Sequence, residues 1–266
     1  MSYLKISVAC ACAILLSSCA SLSQQISQHV TAPKMTYQSL AIGHITNDSI
    51  QLLPTFTVFN SNQFPLPINS VSYQLSLNNQ QLVAGNANNV GTLAANGSKD
   101  VTLSLDLGKQ SLGSLQQLLF KHGQVDYAID GTVNVMGLTI PFHQQSTLFM
   151  PKVSFKQMKV VNGNFSQVDL MLEVEIDNKN DFNLPLDNLS YKITSGSTSL
   201  FSGSLRQQTI SNGRQLIQLP LSFKPNLMFS NVLGLLRQPT LPLTIKITSP
   251  LFSSTHQTSL NLANIL

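Results

Sequence analysis

Apolar and polar positions alternate with a period of two along most of this 266-residue chain. That period is the mark of β-strands with one buried face. Ile50, Leu52, Phe56 and Val58 point one way, while Gln51, Thr55 and Thr57 point the other. A second row holds Val71, Tyr73, Leu75 and Leu77, and a third holds Val101, Leu103, Leu105 and Leu107. Val125, Tyr127 and Ile129 follow, then Val133 and Val135. Asn78-Asn79 and Asn96-Gly97 supply turn residues between them. Strands spaced at about ten residues predict an antiparallel sandwich. One stretch departs from the period. Ser111 to His122 places Leu112, Leu115, Leu118 and Leu119 at helical spacing, with Gly123 as the stop.

The whole pattern is then written a second time. NSNQFPLPINSVSYQL, from Asn60, aligns with NKNDFNLPLDNLSYKI, from Asn178, and seven of the sixteen positions are identical. The identities pair Asn60 with Asn178, Asn62 with Asn180, Phe64 with Phe182, Leu66 with Leu184, Pro67 with Pro185, Ser72 with Ser190 and Tyr73 with Tyr191. Pro33-Lys34 matches Pro151-Lys152, and Gly85 matches Gly203. Val168, Leu170, Leu172, Val174 and Ile176 repeat the first inward row, but Asp169, Glu173, Glu175 and Asp177 replace its neutral outer face. Asn226 to Arg237 predicts a second helix. A unit this long is a domain rather than a solenoid repeat. The chain thus divides into two tandem domains, 33–150 and 151–266, each of about seven strands with one short helix before the last two.

Within the repeated phrase, Pro67 and Pro185 cannot donate to a ladder and belong at a strand start or edge. The asparagines can hydrogen-bond neighbouring backbone. Phe64 or Phe182, with Leu66 or Leu184, is expected to tuck under the crossing and seal one end of the sandwich. The phrase therefore reads as a folding corner, set against an alternative in which its asparagines face a ligand.

The N-terminus adds an address. Lys5 precedes an apolar run from Ile6 to Leu16, too short to span a bilayer but suited to a secretory signal. The run ends in Leu16-Ser17-Ser18-Cys19, which resembles the lipobox of bacterial lipoproteins. That resemblance implies a signal peptide at 1–18, a lipid attached to Cys19 and a tether at 19–32. Cys10 and Cys12 leave with the signal, so Cys19 has no partner for a disulfide. Ala20 and Ser21 after the cysteine, with no Asp, imply the outer membrane and a domain pair facing the periplasm.

Composition narrows the function classes. Only 10% of residues are charged, and removing Lys5 lowers the net charge of +4 by one. Nucleic-acid binding, which needs a clustered basic face, is excluded. Neutral amides are abundant, with 22 Asn and 23 Gln. His29, His44, His122, His143 and His256 show no metal-ligand spacing. Glu173, Glu175 and Asp177 share a strand face, but Thr55, Thr57 and Phe59 stand there in the first copy, so a solvated face is expected. No nucleophile elbow or phosphate loop occurs, and no cofactor, metal or catalytic residue is expected.

Asn-x-Asn-x-Phe-x-Leu-Pro, followed by a Tyr-bearing strand and a Gly about twelve residues later, resembles the group 2 late embryogenesis abundant domain. That domain is also called the water stress and hypersensitive response (WHy) domain. The resemblance covers Lys34 to Leu148 and again Lys152 to Leu262, with Asn183 replacing Pro65 in the second copy. It implies a fibronectin-like sandwich with one helix and a non-enzymatic role in desiccation or other stress. The expected protein is lipid-anchored in the envelope, with a structural or stress-protective role and an envelope protein or lipid as partner. The alternative is a carrier or sensor of lipid or another apolar ligand.

Overall fold

The structure, a computed structural model, describes residues 30–164, 166–185, 189–205, 208–224 and 240–261. It is an all-β sandwich fold. From Lys34 to Phe149 the strands form two antiparallel sheets that pair only among themselves. One sheet holds β1 (Lys34–Ile45), β2 (Ile50–Phe59), β5 (Ser98–Thr102) and β6 (Leu105–Leu107), with β2 central. The other runs β4 (Gln80–Leu93), β3 (Leu66–Leu77), β7 (Gln124–Val135), β8 (Leu138–Phe149) in spatial order. The inner faces meet in one core. Along β2 every second residue from Ile50 to Val58 is buried, so period two has become a packed face. Phe56 of β2 reaches Phe142 of β8 with ring centroids 4.9 Å apart.

Two strand counts differ from expectation for local reasons. The row from Val101 to Leu107 is two strands although its register on β2 is unbroken, with Thr102 opposite Thr55 and Leu105 opposite Leu52. Leu103 N–H donates to the Pro54 carbonyl at 2.9 Å, but Pro54 has no N–H to return, so the ladder is interrupted there. Conversely, Val125 to Val135 is one unbroken strand, in which Gly131 lets Phe142 and the Ser72 carbonyl approach closely. Helix α1 (Lys109–His122) buries Leu112, Leu115 and Leu119. It ends at Gly123, whose φ of 74° is the left-handed cap conformation that glycine adopts without a Cβ penalty.

From Lys152 to Asn261 the same strand order returns. β15 (Gly213–Phe223), β10 (Val168–Asn178) and β9 (Lys152–Gly163) form one sheet. β13 (Thr198–Leu205), β12 (Leu189–Ser195), β16 (Thr240–Ser249) and β17 (Phe252–Asn261) form the other. Two-residue strands β11 (Leu184–Pro185) and β14 (Thr209–Ile210) pair beside them. The second predicted helix, at 226–237, lies outside the described residues, as do Cys19 and the signal sequence.

Candidate functional site

The repeated phrase comes directly after β2 and β10 and forms the same polar network twice. Asn60 and Asn178 are fully buried, and Asn62 and Asn180 nearly so. The Asn60 amide donates to the carbonyls of Phe64 and Ala94, both at 2.9 Å. Its oxygen accepts from the backbone N–H of Asn62 at 3.0 Å and from the Asn62 amide at 2.8 Å. Both donors and both lone pairs of the side chain are thereby used, so Asn60 has nothing left to offer a ligand. Asn178 repeats each contact. It donates to Phe182 and Ile210 carbonyls at 2.8 and 3.3 Å and accepts from Asn180 at 3.1 and 2.9 Å.

The second asparagine of each pair clasps the chain that arrives from upstream. Asn62 accepts from Thr31 N–H and donates to Thr31 carbonyl, both at 2.8 Å. Asn180 does the same to Phe149, at 2.8 and 2.9 Å. Phe149 is the last residue of β8, so this clasp ties the end of the first half to the corner of the second. Sequence reading missed it, because backbone groups are held and the side chains at 31 and 149 are unrelated.

Phe64 and Phe182 part company. Phe182 is buried, as expected, but Phe64 is 41% exposed and does not tuck under the crossing. β1 of the first half lies against β11 beside the second corner, and the Asp181 carboxylate acts electrostatically on Tyr37 and Tyr127. The second corner is thus abutted by a neighbouring half, whereas, among the described residues, the first corner is met by the incoming chain at Thr31. Leu66 and Leu184 are buried in their respective corners, while Pro67 stays exposed at the start of β3.

Tyr73 and Gly85 are directly opposed across β3 and β4, as Tyr191 and Gly203 are across β12 and β13. A Cβ at Gly85 would lie 2.5 Å from the Tyr73 ring, and one at Gly203 would lie 2.5 Å from the Tyr191 hydroxyl. The twelve-residue spacing is therefore a packing requirement. The Tyr73 hydroxyl donates to the Ser104 carbonyl at 2.9 Å, holding the break between β5 and β6. Tyr191 instead stacks on Phe201 at 5.5 Å.

The outer faces carry different chemistry. In the first half Thr55 bonds Thr102 at 2.9 Å and Thr57 donates to Asp100 at 2.6 Å. In the second, Lys156 pairs with Glu175 at 2.9 Å, Lys159 with Glu173 at 3.4 Å and Arg214 with Asp177 at 3.8 Å. Gln157 donates to Glu173, and this contact, above the neighbouring Lys159, holds the Glu173 carboxyl below its ordinary range. The acidic row is thus a ladder of cross-strand pairs. Among the described residues, no three His, Cys, Asp or Glu gather as a metal site. His143 bonds Asp130 at 2.6 Å on an exposed face, while His256 stacks on Phe155 at 4.4 Å.

Two spaces remain. Inside the first sandwich, Leu40, Leu52, Leu77, Leu115, Tyr127 and Ile129 line a cavity of about 20 Å³. Between the halves, Asn47, Gln116, Phe120, Ser190, Thr248 and Ser253 border an open groove of about 340 Å³. Gln116 on α1 bridges it by donating to the Pro250 carbonyl at 2.9 Å. Its hydroxyls are partly engaged already, as Ser190 donates to Thr248 carbonyl at 3.4 Å and Ser249 accepts from Leu251 at 3.2 Å. Burial raises the pKa of Tyr127, which lines the cavity inside the first sandwich, and of Tyr37 and Tyr191.

These features define an all-β sandwich protein whose repeated polar corners are internally satisfied. Residues 55–146, which contain the first corner and its Tyr-Gly pair, match the family model described as Late embryogenesis abundant protein. No curated protein matches the chain. Solved structures do. A crystal structure of a protein from Archaeoglobus fulgidus is 17% identical, covers 45% of this chain and 96% of its own, and has a TM-score of 0.34. A solution structure from Arabidopsis thaliana is 17% identical, with 45% and 83% covered and a TM-score of 0.40. Another solution structure, provisionally described as a late embryogenesis abundant (LEA) protein, is 18% identical, with 52% and 84% covered and a TM-score of 0.36.

Proposed function

We propose that this is a lipid-anchored, non-enzymatic protein of the cell envelope that protects envelope components under water stress. Its two sandwich domains, 33–150 and 151–266, would be held near the outer membrane by a lipid on Cys19. The observation that carries the protective role is the match of residues 55–146 to the late embryogenesis abundant family. The lipobox Leu16-Ser17-Ser18-Cys19 supports the anchor. Among the described residues the carrier alternative has less to rest on, because the apolar cavity inside the first sandwich, about 20 Å³, has room for one water rather than a lipid chain.

The protective role is tested with purified Cys19→Ala protein dried together with a labile enzyme. The enzyme should keep more activity than with an equal mass of an unrelated β-sandwich protein. Equal recovery in the two samples would sink the protective reading.

A further inference from the structure

The two corners share an internal network but present different surfaces. Around the second corner stand Asp177, Lys179, Asp181 and Asn183; at the same places in the first stand Phe59, Ser61, Gln63 and Pro65. Three charges are gone and an aromatic ring has been added, on a scaffold whose buried hydrogen bonds are the same. Phe59 and Phe64 are each 41% exposed. The facing turn, Ala94-Ala95-Asn96-Gly97, is also uncharged, and its two alanines are exposed. The nearby Lys99 turns its amine inward to the Val90 carbonyl at 2.7 Å. Exposed Lys34 is the cross-strand partner of Phe59, so the tip sets two exposed rings beside a cation, unlike the ion-paired face of the second half, and marks a contact surface.

The clasp on Thr31 shows where the upstream chain meets the folded part, which is this same tip. Cys19 lies twelve residues before Thr31, a reach of at most about 40 Å when extended and roughly 20 Å as a flexible coil. A lipid on Cys19 therefore favours this end of the first half at the bilayer, since the flexible-coil reach is shorter than the roughly 40 Å length of a 12-residue strand. Aromatic side chains flanked by a cation are stable at headgroup depth, where the rings meet the acyl boundary and the cation meets anionic headgroups.

We propose that Phe59 and Phe64, with Pro65, form a membrane-contact tip that seats in the interfacial layer of a lipid surface and orients the first half on it. The proposal rests on the anchor reading above.

The test uses the full lipidated chain on vesicles of phosphatidylethanolamine and phosphatidylglycerol. A polarity-sensitive fluorophore is placed at position 63 (Gln63→Cys) or, for comparison, at position 181 (Asp181→Cys), and quencher-bearing lipids are added. The label at 63 should be quenched several-fold more than the label at 181. The double variant Phe59→Asp, Phe64→Ser should lose that quenching while still floating with the vesicles. Equal quenching at the two positions, or quenching unchanged in the double variant, overturns the tip and leaves the anchor standing. Failure of the lipidated chain to float overturns the anchor reading, and the tip with it. A spectral shift at 63 that grows with protein concentration in the absence of lipid assigns the surface to a second copy of the chain, and also overturns the proposal.

Discussion

Replacing Asn60 by Ala removes four hydrogen bonds from a residue with no exposed surface. The carbonyls of Phe64 and Ala94 lose their donor. Phe64 and Ala94 are exposed residues, so water can replace that donor at modest cost. Asn62 is buried, and its backbone N–H loses its acceptor. A stranded buried group costs about 1–3 kcal/mol, and each ordinary bond contributes roughly 1 kcal/mol. The sum, allowing for partial rehydration, is about 3 kcal/mol. For a domain somewhat above 100 residues this lowers Tm by about 10–15 °C. Urea titration followed by circular dichroism, together with scanning calorimetry, measures it. Asn69→Ala is the control, since that exposed amide donates to Asn134 at 3.3 Å and its loss should stay within about 0.5 kcal/mol. An Asn60→Ala protein as stable as Asn69→Ala would refute the network as a source of stability.

Gly85→Ala should cost about 1–3 kcal/mol by overpacking against the Tyr73 ring 2.5 Å from the new Cβ, and a crystal structure should show that ring displaced. Asn180→Ala frees the end of β8 from the second corner, so calorimetry should resolve two transitions farther apart than in the wild type. For acid stability, the folded Glu173 carboxyl titrates below its ordinary value of 4.5, first because of Gln157. Its contribution is therefore present above that value and is lost as pH falls through the folded pKa. Stability measured from pH 6 to pH 3 should fall less steeply in Glu173→Gln than in the wild type.

Much of the fold was legible because packing restrains only one face of a strand. Ile50 to Val58 and Val168 to Ile176 keep their inward residues across the duplication, so both read directly as half-buried strands. Gly131 hid the continuity of β7, since a glycine looks like a break until Phe142 is seen over it. The corner was legible as a feature but not in its outcome. Phe64 and Phe182 are the same residue in the same phrase, and their exposure depends on what abuts the corner from elsewhere in the chain. The Asn62 and Asn180 side chains hold Thr31 and Phe149 by their backbone atoms, so the identity of the held residues carries no trace of the clasp. The Tyr73–Gly85 pair was visible as a spacing, but its meaning required the β3–β4 register.

If the anchored chain protects its cell through loss of water, a strain without it should die on drying. Survival of a deletion strain after drying and rehydration is therefore the decisive measurement, with wild-type and Cys19→Ala genes restored at equal protein level. Survival should fall on deletion, return with the wild-type gene and return only in part with the unanchored form. Undiminished survival of the deletion strain would contradict the protective role.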